Sequence, residues 1–151
     1  VPHVRTSIRD AAEAALAALV TPQTVAVERR FPFDIASLPA VNITLMGSEA
    51  QPDQTAMGNI YDVETDEALT IEIHAGGMDA KTVCEQIDQI ELEIESALAV
   101  DVTLGGIVEN LVPNGSAFEG SVDQELFLGS RAVSYIAIWR HKFGAADQPE
   151  G

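Results

Sequence analysis

Residues 79–106 read DAKTVCEQIDQIELEIESALAVDVTLGG, and the fold turns on this stretch. Val83, Ile87, Ile90, Ile94 and Leu98 recur at spacings of four and three, which makes one stripe on a helix of about 3.6 residues per turn. Ala80, Cys84 and Ala97 flank the stripe, while Lys81, Glu85, Asp88, Glu95 and Ser96 fall opposite, toward water. Leu92 breaks the pattern, projecting about 180° away from the stripe. Val100 is followed by Asp101, a short turn and Gly105-Gly106, a pair that helix interiors exclude. The stretch predicts one long amphipathic helix with its stop signal.

On the N-terminal side, residues 3–20 predict a first helix with Val4, Ile8, Ala12, Ala15 and Leu19 as a thin apolar stripe, ended by Thr21-Pro22. Residues 24–31 and 40–46 predict strands, with Val25 and Val27 on one face of the first and Val41, Ile43 and Leu45 inward in the second. Residues 47–59 are polar and lack periodicity, which predicts a mobile loop. Residues 60–64 extend a strand, and Leu69, Ile71 and Ile73 mark a strong strand ending near Ala75, where Gly76-Gly77 breaks it and launches the long helix.

On the C-terminal side, residues 107–112 predict a strand and Pro113-Asn114-Gly115 a turn. Residues 116–130 show only a hint of a short strand at Val122, Leu126 and Leu128. Residues 131–143 alternate Val133, Tyr135, Ala137 and Trp139 against Ser134, Ile136, Ile138 and Arg140. With both faces apolar in the middle, this segment predicts a central strand covered on both sides. Residues 144–151 form a polar tail. The order helix, strands, helix, strands gives a single α+β domain over residues 1–143, a mostly antiparallel sheet with two helices packed on one face.

Composition narrows the function. The chain has 151 residues, 46% of them hydrophobic, enough for one core. Its 24 acidic and 8 basic residues give a net charge of -16, which disfavours tight groove binding to nucleic acid. A lone cysteine forms no internal disulfide and fits a reducing compartment. No apolar run reaches membrane-spanning length, so no membrane partner is expected.

The candidate chemistry is sparse. Asp62, Glu64, Asp66 and Glu67 offer oxygen ligands of the kind calcium takes, but the glycine and distal glutamate of the calcium loop are missing, and a solvated acidic edge is the favoured reading. His3, His74 and His141 are scattered, and Cys84 has no cysteine partner, so no zinc spacing exists. Cys84 reads as a small buried hydrophobe. The two glycine pairs lack the lysine and spacing of phosphate loops. A small hydrolase or isomerase would need a nucleophile with its base, or paired acids, and neither is visible. No catalytic residue, metal or cofactor is expected, and a ligand-binding module remains an alternative.

Five segments together resemble the tail terminator, or tail-completion, proteins of long-tailed phages and phage-like particles. They are VRTSIRDAAEAALAAL (4–19), LPAVNI (38–43), LTIEIHA (69–75), VCEQIDQIELEIESALAVDVTLGGIVENL (83–111) and RAVSYIAIWRHKF (131–143). A helix ending in D-x-TLGG, then a strand, then a final strand with a basic end is that family's rhythm. The resemblance implies a structural virion protein: a hexameric ring that caps the tail tube, stops its polymerisation and offers a surface for head–tail joining. The implied partners are further copies of the chain, the tail tube protein and a neck or head-completion protein. DNA would pass through without specific binding. The implied location is the head-proximal end of the tail, after assembly in the host cytoplasm. A neck or head–tail connector of the same particle is the runner-up. Within such a ring a carboxylate wall keeps duplex DNA from sticking. Asp62, Glu64, Asp66 and Glu67 are the candidate lumen-facing acids, favoured over the polar face of the long helix because a strand end or hairpin tip can project inward while a helix face is broad. Arg29, Arg30, Leu92, Arg140 and Lys142 are the candidate intersubunit contacts.

Overall fold

The computed structural model describes residues 2–52 and 62–144. It contains two helices, α1 (Val4–Leu16) and α2 (Ala80–Ala99), a single turn of 3-10 helix at Ile35–Ser37, and five strands. The strands are β1 (Thr24–Val27), β2 (Ala40–Pro52), β3 (Asp62–Gly77), β4 (Asn110–Asp123) and β5 (Leu126–Lys142). They form one sheet in the order β1-β2-β3-β5-β4, antiparallel except for the parallel β1–β2 pair. Helix α1 lies over β1 and β2, and α2 over β3 and β5, with the helices touching each other. The α+β fold with two helices on one face of a mostly antiparallel sheet is therefore present.

The long helix forms as its stripe dictates. Val83, Ile87, Ile90, Ile94 and Leu98 are all buried, each burial stabilising by about 1.5–3 kcal/mol. The Asp79 carboxylate caps its start, accepting from Lys81 N at 3.3 Å and from Thr82 Oγ1 at 2.7 Å. Beyond its end, the Asp101 carboxylate accepts from the backbone N–H groups of Thr103 and Gly105, each at 2.9 Å, and shapes the turn. Strand β3 runs beneath the helices. Val63, Thr65, Glu67, Leu69, Ile71, Ile73 and Ala75 are buried, and the residues between them are half-exposed, a strict period of two.

Several expectations are corrected. Helix α1 ends at Leu16, which is fully buried, so Leu19 belongs to the turn that follows. Strand β1 stops at Val27 because Glu28 takes a positive φ of 53°. Residues 47–52, expected in a mobile loop, continue β2, paired to β3 from Gly47↔Ala68 to Pro52↔Val63 beyond a bulge at Leu45/Gly47. The remainder of that expected loop, 53–59, lies outside the described residues. Gly76-Gly77 does not break β3, since both residues pair with β5. Residues 107–109 lie before β4, and Pro113-Asn114-Gly115 is a bulge inside it, with Gly115 at φ 90° and the register shifting between Pro113 and Ser116. Residues 116–130, hard to read from the sequence, complete a β4–β5 hairpin that turns at Gln124-Glu125.

Strand β5 is not covered on both sides. Its Val133, Tyr135, Ala137 and Trp139 are buried under the helices, but Ile136 and Ile138 are only half-buried on the opposite face. Their apolar character is met by lateral neighbours on the sheet, Ala68 beside Ile136 among them. No helix covers that face among the described residues. Among the described residues, the segment after β1 is what folds across its β2 side, where Asn42 is buried and held in both directions to the Arg29 backbone, at 3.0 and 2.9 Å.

Candidate functional surfaces

The four predicted lumen acids do not form one cluster. Alternation along β3 sends Glu67 to the helix-covered face, where it is 1% exposed and paired with Arg5 of α1. Asp62, Glu64 and Asp66 lie on the open face. There they are joined by Glu49, cross-strand from Asp66, and by Glu72 further along β3. Glu64 meets Arg140 at 2.9 Å, and Arg140 also reaches Glu109 at 3.3 Å. An open hollow of about 400 Å³ on this face is lined by Gly47, Ser48, Glu49, Asp66, Ala68 and Ile136. Its walls are shallow and carry no arranged nucleophile and base. No group of three or more His, Cys, Asp and Glu side chains among the described residues could hold a metal.

Most cations are engaged within the chain. Arg9 on α1 reaches Glu28 Oε1 at 3.0 Å, and Arg30 reaches its Oε2 at 2.8 Å. Burial alone would raise the Glu28 pKa. The hydrogen bonds from Leu45 N and Arg9, with the charges of Arg9 and Arg30, outweigh that and hold it below the ordinary value. Arg131 rises from β5 to Asp88 and Glu91 of α2, which raises the Arg131 pKa, the hydrogen bond that Arg131 donates to Asp88 contributing most. Asp88, expected to face water, is thus tied to the sheet, and Glu91 with it. Tyr135 beneath them is pushed up to about 12 by burial and by the charges of Glu95 and Glu91. Lys81 pairs with Glu85 one turn on.

Arg29 is different. It is exposed, donates to the carbonyls of Phe31 and Pro32 at 3.1 Å each, and lies 4.7 Å from the Phe33 ring centre. It has no carboxylate partner among the described residues. Lys142 is exposed at the far end of β5, cross-strand from Asp62. Leu92 is 58% exposed and lines a groove with Ala15, Leu19, Val20 and Glu93 between the end of α1 and the outer side of α2. Glu93 closes that groove by accepting from the backbone N–H groups of Val20 and Thr21 and from the Thr21 hydroxyl.

The feature that sequence reading missed is the length of β4. It forms a sheet edge of 14 residues, and all of it except Leu111 is exposed. The opposite edge, β1, has four residues.

No protein-family model matches the chain, and no curated protein matches it. Among solved structures, the chain is similar to one described as the virion of a native gene transfer agent particle, with 9% identity, a TM-score of 0.32 and coverage of 90% of this chain and 91% of the other. It is also similar to a structure described as the sheath/tube terminator of an extracellular contractile injection system in its extended state, with 15% identity and a TM-score of 0.39. That match takes in 85% of this chain and only 55% of the other, so the chain spans about half of that protein. At these identities and scores neither match assigns a role.

Proposed function

We propose that the chain is a structural subunit of a phage-tail-type particle, a terminator that forms a ring on the end of the tail tube, stops its growth and offers a joining surface to the neck or head. The observation that carries this reading is a sheet left open on one face and at both edges, on a chain whose two helices and inner strands β2, β3 and β5 contain the segments that resemble tail terminators. Such a subunit works by contact, and no catalytic step is assigned to it. In the ring, the open face with Asp62, Glu64, Asp66, Glu49 and Glu72 turns toward the channel. Carboxylates there repel phosphate and keep duplex DNA hydrated and mobile, within a screening distance of about 8 Å at physiological salt. Glu67, enclosed with Arg5, takes no part in that wall. Arg29, Leu92 and Lys142, the exposed members of the expected contact set, serve neighbouring subunits or the tube. Arg30 and Arg140 do so while keeping their own acids.

Particle images of the purified chain mixed with tail tubes test the reading. Rings at one end of the tubes, and tubes of uncontrolled length without the protein, are the expected result. Attachment to head portals with bare tube ends would instead make it a neck connector. Binding to neither would end the structural reading.

A further inference from the structure

The two edges of the sheet carry opposite charge. No Lys or Arg occurs between Lys81 and Arg131, so β4 itself carries no cation, while Glu119 and Asp123 lie on it and Glu125 follows it; Glu109, just before it, is already paired with Arg140. The β1 edge passes directly into Arg29 and Arg30, both exposed. Arg29 is held in place by two carbonyls and a ring yet meets no carboxylate among the described residues. Exposed edge strands pair with other chains unless blunted by lysine, proline or a bulge. On β4 the blunting is confined to the bulge at Pro113/Ser116, and the run from Ser116 to Asp123 is regular and free of proline.

We infer that the β4 edge of one copy pairs with the β1 edge of the next, so that the sheet continues from subunit to subunit. The strand directions allow it: β4 is antiparallel to β5, β5 to β3 and β3 to β2, while β1 is parallel to β2, so β4 and β1 run in opposite senses. The contact is heterologous, one patch meeting a different one, and such contacts build rings. Repeated around an axis with the helices outside, it turns the open acidic face inward. Register along the sheet places Ala26 level with Ala117, through Asn42, Glu72 and Ala132. Because β1 is short and a closing sheet staggers its strands, the matching position can slide along β4.

The inference rests on the ring reading, and its test separates the two. In a Cys84→Ala background, Ala26→Cys is combined in turn with cysteine at Val112, Ala117, Glu119 and Ser121, positions on the same face of the sheet. Opposed residues on antiparallel strands have Cα atoms about 4.5–5.5 Å apart, within disulfide reach. Oxidation of tube-bound protein should give a ladder of covalent multimers for one or two neighbouring positions and none for the others. Arg29→Glu should cut the ring fraction at least tenfold, and Glu119→Arg added to it should restore rings. Thermal unfolding of both variants shows that they fold. Rings on tube ends with no cross-link at any position overturn the edge contact while leaving the terminator reading intact. A predominant two-chain product from Ala117→Cys alone overturns it in favour of two-fold β4 pairing. Absence of any closed oligomer on tubes overturns both.

Discussion

Arg5 and Glu67 show how one buried charge shapes a surface. Glu67 sits among apolar side chains on the helix-covered face and is tolerated because Arg5 neutralises it. Arg5→Ala leaves that carboxylate buried and uncompensated. Loss of about 2 kcal/mol is expected in urea unfolding, below the cost for a fully enclosed pair because Arg5 is 39% exposed. Replacing both residues by apolar ones should recover much of the loss, which a double-mutant cycle measures. Gly129 is the other sensitive position. A Cβ there would stand 3.0 Å from Ile87 Cδ1 and 3.2 Å from Val83 Cγ1, so the glycine lets α2 settle closely on β5. Gly129→Val should destabilise by about 2 kcal/mol through overpacking, read as a lower urea midpoint with an unchanged slope.

Between elements, Glu93 ties α2 to the connection between α1 and β1. Burial would raise its pKa, but the Thr21 hydroxyl and the N–H groups of Thr21 and Val20 prevail and hold it below the ordinary 4.5. Glu28 is shifted in the same direction. A carboxylate whose folded pKa is depressed adds stability above its unfolded value and loses it as pH falls through the folded one. Thermal stability should therefore be flat near neutrality and fall as pH drops below about 4.5. Glu93→Gln should cost about 1–2 kcal/mol at pH 7 and make the acid decline shallower, measured by unfolding across pH 3–7. A decline equally steep in the variant would remove Glu93 from the explanation.

For the molecule as a unit, charge controls association. A chain of net charge -16 repels its copies at long range, while the proposed edge contact joins acid to base at short range. Free subunits should stay apart at low salt and associate more readily as ionic strength rises from about 10 to 150 mM, where the Debye length falls from about 30 to 8 Å. Sedimentation across that range checks it. Assembly that weakens steadily from the lowest salt upward would mean that local ion pairs outweigh the overall repulsion.

Local periodicity carries most of the fold. The stripe from Val83 to Leu98, the alternation through Leu69, Ile71 and Ile73, and the run from Val133 to Trp139 each record their own periodicity, because side-chain direction repeats within a few residues. Those patterns were enough for the α+β architecture. Partners distant in sequence were not legible. Glu67 belongs to Arg5, 62 residues away, and its separation from Asp62, Glu64 and Asp66 follows from the register of β3 beneath α1. Pro113-Asn114-Gly115 looks the same to a local reading whether the chain reverses there or bulges and runs on. Pairing with β5 chose the bulge and made β4 a long edge. Helix α2 covers one side of β5 and leaves Ile136 and Ile138 to the other. Periodicity assigns residues to faces, but what covers a face, and which edge stays unpaired, depends on contacts between elements far apart in the chain.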